Sequence, residues 1–216
     1  MLQDLLRRLL GPPRTAIRRL GELGEFMGQQ AAFVSQKATV DYLRARAGLA
    51  WTQLFRERDF RRSLDYCRWE AYAAVLQDVA ELAQIFLRRE GAPEAPLPGV
   101  LADLVELALG AYPVPEHRDD WVDVVADTRR RLEAALRAPP RPVRLVGYDS
   151  ARKIFPIMPI HTNLARYDRE VVENNIRFLL VGVYTELERR AVVPELLEPL
   201  RAAAGLAATE GMEEET

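Results

Sequence analysis

Residues 60–86, FRRSLDYCRWEAYAAVLQDVAELAQIF, decide the fold. Phe60, Leu64, Cys67, Ala71, Val75, Val79, Leu82 and Phe86 recur every three or four positions, so a helix gathers them on one face. No proline or glycine interrupts the stretch before Gly91. Upstream, Phe26, Phe33, Val40, Ala47 and Leu54 repeat every seven positions and predict a second long helix, Phe26 to Phe55, with a coiled-coil-like seam. The charged residues Arg56 to Asp59 join the two, so an antiparallel helical hairpin is expected. Gly21, Gly24 and Gly28 precede or open the first of these helices and mark either a break or a close helix contact.

Proline and glycine punctuate the rest of the chain. Pro93, Pro96 and Pro98 make 91–99 a loop, followed by a helix from about Val100 to Ala111. Asp119 and Asp120 open another helix, which runs through Trp121, Val124, Val125 and Leu132 until Pro139, Pro140 and Pro142 stop it. Between 142 and 163, Gly147, Pro156 and Pro159 interrupt apolar residues, so an extended or irregular segment is expected. Arg169 to Arg190 is the last long helix, with a shorter one over Pro194 to Ala204. The expected architecture is an all-α, irregular multi-helix bundle built on the hairpin, a single helical domain over 1–207. Leu2, Leu5, Leu6, Leu9 and Leu10 set 1–11 apart as a short amphipathic helix, and the glutamate-rich stretch 208–216 reads as a disordered acidic tail.

Composition bounds the function. With 49% hydrophobic and 29% charged residues, the 216-residue chain can bury one core and is not a disordered polymer. Thirty Lys and Arg against 32 Asp and Glu give a formal charge of -2, so no global field draws the chain to nucleic acid or an acidic membrane. Any charged partner must meet a local patch. Nucleic acid is not expected, and peripheral membrane contact through residues 2–10 is secondary to packing of that helix on the body. Cys67 cannot form an internal disulfide and reads as a small buried hydrophobe, and no apolar stretch approaches the ~18 residues of a membrane span. A cytoplasmic location is expected.

Catalytic signatures are weak. Asp119, Asp120 and Asp123 match the DDxxD pattern with which paired carboxylates hold magnesium, but no second acidic motif follows, and aspartates that open a helix have capping to do. His117 and His161 stand in no metal-ligand spacing, and neither a Gly-x-Ser-x-Gly elbow nor a Gly-rich phosphate loop occurs. No catalytic residue, metal ligand or cofactor is assigned.

More informative are polar residues where the helical period calls for apolar ones. Arg68 falls on the Leu64, Tyr72, Val75, Val79 stripe, and Gln30, Lys37 and Arg44 share the seam of the preceding helix. His161, Asn163 and Arg166 precede the last long helix, and Asn174 and Arg177 lie on it. Together Arg44, Arg68, His161, Asn163, Arg166, Asn174 and Arg177 are the candidates for a basic, amide-rich interior pocket that binds a small anionic or lipid-like ligand. The leading reading is a non-catalytic interaction or adaptor module. It would act through its heptad face on a protein partner or a second copy, with Trp51, Phe55, Tyr66 or Trp69 as anchors.

Overall fold

Every residue from Ala71 to Leu87 is buried, so the stretch that decides the fold is enclosed on all sides rather than on one face. Ala71, Ala73, Ala74, Ala80 and Ala83 are distributed around it, and these short side chains let neighbouring helices approach from every direction. The computed structural model describes residues 15–213, with backbone alone at 162, 164 and 206–213. In chain order its helices are α1 (Leu20–Gln36), α2 (Tyr42–Ala47), α3 (Trp51–Leu54), α4 (Arg58–Arg89), α5 (Leu97–Gly110), α6 (Val122–Ala135), α7 (Tyr148–Ile154), α8 (Thr162–Ala165), α9 (Arg169–Arg190) and α10 (Val193–Glu213). The fold is an all-α bundle with α4 as its hub, against which α1, α5, α6, α7 and α9 all pack. The amphipathic segment 1–11 and the last residues of the acidic tail lie outside the described part. α10 runs to Glu213, past the Ala204 end expected for it.

The long helix expected from Phe26 to Phe55 is instead segmented. α1 runs to Gln36, Lys37–Asp41 winds as a π-turn, α2 follows, and Gly48 at φ 52° and ψ -126° turns the chain into Gly48–Ala50 and α3. The π-turn inserts a residue into the helical count and rotates everything after it off the seven-residue seam. Before the π-turn Leu23, Phe26, Met27, Ala31 and Val34 form the buried face and Phe33 is half exposed, and after it Leu43 turns inward. The hairpin survives, since α1 packs along α4. Gly24 and Gly28 mark its contact with α5: a Cβ on Gly24 would stand 3.2 Å from Leu104, and one on Gly28 3.3 Å from Ala108.

The segment 142–163 is irregular but not extended. Val143–Leu145 and Phe155–Ile157 are single 3-10 turns flanking α7, and α8 closes the segment. Pro156 sits in the first turn of its 3-10 piece, where a missing N–H has no intrahelical partner to lose. Gly147, at φ 100°, starts α7 and packs against α9. Ahead of the bundle, Ile17 forms a one-residue parallel bridge: its N–H donates to Arg190 O and its carbonyl accepts from Val192 N, both at 2.9 Å.

Candidate functional site

Arg68 is exposed rather than buried, because α4 extends beyond the ring of helices before Ala71 and only Leu64 and Cys67 turn inward there. It does line a cleft of about 180 Å³, with Ala32, Ser35, Gln36 and Thr39 from α1 and its π-turn, and Trp69, Tyr72 and Tyr112 opposite. The three rings meet edge to face, with centroids 5.8 Å apart for Trp69 and Tyr112 and 6.1 Å for Tyr72 and Tyr112. Tyr72 donates to Ala108 O at 3.2 Å, and burial pushes its phenol up to about 12, so it remains a neutral donor. Ser35 and Thr39 spend their hydroxyl protons on Ala32 O (3.1 Å) and Ser35 O (2.7 Å) and offer the cleft acceptor oxygens only. No ion pair engages Arg68 among the described residues, and no carboxylate lines the cleft.

The other six sequence candidates do not join it, which corrects the expected basic interior. Arg44, His161, Asn163, Arg166 and Asn174 are exposed and Arg177 is partly so, and none lines the Arg68 cleft. His161 caps α8, its Nδ1 accepting from Asn163 N at 3.2 Å, and Arg166 lies over the Tyr167 ring. Arg177 donates to Arg144 O at 3.0 and 2.8 Å, to Asn174 Oδ1 at 3.2 Å, and stacks on Tyr148 with 4.1 Å to its centroid. Asn174 and Arg177 thus fasten the irregular segment to α9.

Sequence reasoning passed over a polar spine on α4. Gln77, Glu81, Gln84 and Arg88 follow one another at helical spacing and face α6 and the chain beyond it, with Asp78 beside them. Gln77 Nε2 donates to Val124 O at 3.2 Å and to Asp127 at 3.1 Å, Gln84 Nε2 to Leu132 O at 3.0 Å, and Arg88 to Ala135 O and Ala138 O at 3.1 and 2.9 Å. Arg131 reaches Asp78 at 3.1 Å and Glu81 at 3.6 Å, and Arg141 donates to Glu81 at 2.6 Å. Burial drives the Asp78 carboxyl above the usual aspartate range, with Arg131 pulling the other way. The legible signal was the spacing itself: four long polar side chains on one stripe of a helix that has no wet side.

The remaining motifs resolve into structure. Asp120 Oδ1 accepts from Val122 N at 3.0 Å in the turn that leads into α6, and Asp123 pairs with Arg118 at 2.9 Å, so these two aspartates of the DDxxD match bond to the chain around them. Among the described residues no group of three or more His, Cys, Asp and Glu is placed to hold a metal ion. Glu70 takes both nitrogens of Arg118 (2.6 and 2.8 Å) and His117 (2.9 Å). Burial would raise the Glu70 carboxyl, but these bonds outweigh it and hold the group below the glutamate range. Cys67 is buried, and desolvation raises its thiol to about 12, which leaves it unreactive.

Among the described residues, two of the open apolar surfaces lie on α9 and at the tip of the hairpin. On α9, Val172, Ile176, Leu180, Val183 and Leu187 face the core, while Val171 (58% exposed), Phe178 (77%) and Val181 line the opposite side, extended by Tyr167 just before the helix. At the tip of the hairpin, Leu49 is fully exposed beside a cluster of Trp51, Phe55 and Phe60. No protein-family model matches the chain, and no curated protein or solved structure is significantly similar to it. No helix among the described residues is long and apolar enough to cross a membrane.

Proposed function

We propose that this protein is a helical interaction module that pairs with a second copy of itself through the outer face of α9. Phe178 carries the reading: a phenylalanine 77% exposed at the middle of a 22-residue helix, between Val171 and Val181, is an interface anchor without its interface. The face is self-complementary. Antiparallel pairing of α9 over its full length sets Phe178 against Val181 and Gly182 of the second copy, Asn174 against Thr185, and Glu170 against Arg189. Apolar contacts then lie at the centre, a hydrogen-bonding pair outside them and ion pairs at the ends, which is the layout of a dry core and a polar rim. Gly182 has nothing within 4 Å of where a Cβ would stand, leaving room for the ring of Phe178. The face differs from the Phe26 to Leu54 seam, which the π-turn and Gly48 break up.

Sedimentation velocity across a concentration series tests it. The wild-type chain is expected to dimerise at micromolar concentrations, and Phe178→Glu to weaken dimerisation by at least about thirtyfold while leaving the thermal unfolding of the monomer unchanged. A wild-type chain that stays monomeric at every concentration would overturn the proposal.

A second reading rests on Arg68. A guanidinium without an ion pair among the described residues, facing a small aromatic-walled cleft that no carboxylate lines, suits a carboxylate or phosphate attached to a flat apolar body. Calorimetric titration with benzoate is expected to show binding that Arg68→Met abolishes without changing the unfolding midpoint. Benzoate binding that survives the substitution, or a clear loss of stability in its place, refutes this reading.

A further inference from the structure

We infer that the hairpin tip, residues 44–62, docks onto an anionic lipid surface. Six arginines and two acids fall in this segment of a chain whose acids outnumber its bases, so the tip is positive against an acidic background. Arg46 is held by Asp168, but Arg44, Arg56, Arg58, Arg61 and Arg62 are exposed and make no ion pair among the described residues. Several arginines elsewhere are matched, among them Arg18 to Glu195, Arg88 to Glu94, Arg118 to Glu70, Arg131 to Asp78 and Arg141 to Glu81. These arginines lie on either side of an apolar point in the chain. Gly48 turns the chain, Leu49 stands fully exposed beyond it, and Phe55 is exposed beside Trp51. Arg44 lies one turn before Gly48, and Arg58, Arg61 and Arg62 occupy the first turns of α4, where they line a groove with Asp65 and Glu116, so the charges flank the tip within about 10 Å along the helix axes.

An apolar point flanked by arginines has a defined fit. Leu49 and Phe55 enter the boundary between headgroups and acyl chains, Trp51 sits at headgroup level, and the guanidiniums meet lipid phosphates, to which they donate in pairs. A nucleic acid fits less well. It would stack its bases on open aromatic faces, whereas Trp51, Phe55 and Phe60 turn their rings edge to face on one another at 4.8 to 6.1 Å, and Leu49 offers a base no stacking face at all.

Flotation of the full chain with vesicles tests the inference. The protein is expected to float with phosphatidylcholine vesicles containing about a third phosphatidylglycerol, to release as salt rises, and to stay behind with phosphatidylcholine alone. Reversing Arg58, Arg61 and Arg62 to glutamate together should weaken binding on the order of a hundredfold. Leu49→Ser, which leaves the charge intact, should weaken it on the order of tenfold. All four side chains are exposed, so circular dichroism and thermal unfolding of both variants should match the wild type. Three results overturn the inference: no flotation with the anionic vesicles, flotation untouched by the triple reversal, or displacement from the vesicles by single-stranded nucleic acid with no effect of Leu49→Ser on nucleic-acid binding.

Discussion

Arg131→Met is expected to destabilise the protein by about 3–5 kcal/mol, the range for removing one partner of a buried ion pair. Asp78 is completely buried and Glu81 nearly so, and Arg131 is the cation that reaches both, at 3.1 and 3.6 Å. Without it the two carboxylates are left with Arg141, which donates to Glu81. The pH dependence has a definite sign. The folded-state pKa of Asp78 lies above the ordinary aspartate value, so the folded protein holds a proton that the unfolded chain releases, and stability falls as pH rises through that window. Losing Arg131 raises that pKa further, so urea denaturation should find the variant weakest near neutrality and partly restored on acidification. Asp78→Leu combined with Arg131→Met should recover most of the loss. A single variant as stable as the wild type at neutral pH would mean that Asp78 is held by something other than Arg131.

Gly147→Ala is expected to cost about 3 kcal/mol, again read from urea denaturation. Two effects add. A left-handed backbone at φ 100° costs any L side chain about 1–2 kcal/mol, and the new Cβ would stand 2.8 Å from Leu180 Cδ1 and 3.4 Å from Ile176 Cγ2. Leu180 and Ile176 are fully buried on α9 and have nowhere to move. Gly91 supplies the internal control: at φ 80° it shares the backbone cost, yet a Cβ there meets nothing within 4 Å, so Gly91→Ala should lose only about 1–2 kcal/mol. Equal losses at the two positions would show that crowding against α9 contributes nothing.

Much of the architecture was legible because its punctuation is local. α9 begins and ends at Arg169 and Arg190, where its pattern placed it, and the prolines at 139–142 follow α6 as expected, while α5 starts at Leu97, ahead of the expected Val100, with Pro98 in its first turn. Asp120 was expected to cap α6; the N-cap is Trp121, and Asp120 accepts from Val122 N in the turn just before the helix. The segmentation of the Phe26 to Phe55 stretch was missed, since no proline interrupts it and residues 37–41, KATVD, carry no local signal for a π-turn. Arg68 was expected to line an interior pocket, and it is exposed at the mouth of a cleft instead. A helical period says which way a side chain points, but not where the surrounding helices stop. Asn174, Arg177 and His161 were read as site residues because polar groups among apolar ones suggest an interior, yet each binds a neighbouring backbone group or side chain at the surface. The apolar face of α9 was missed for the complementary reason. Val171, Phe178 and Val181 look like core until the structure shows the true core on the other side.

The enclosure of α4 also has a meaning in time. Four of the five helices that surround it, α5, α6, α7 and α9, come later in the chain, so during synthesis α4 waits for its neighbours. At ordinary elongation rates the last of them follows on the order of ten seconds later. A wholly apolar helix would spend that interval as an adhesive strip, open to any other unfinished chain. Gln77, Asp78, Glu81 and Gln84 give it a hydrated stripe until α6 arrives with the carbonyls and guanidinium that replace the water. The residues that lock the finished bundle are thus also the ones that keep the half-made chain from sticking.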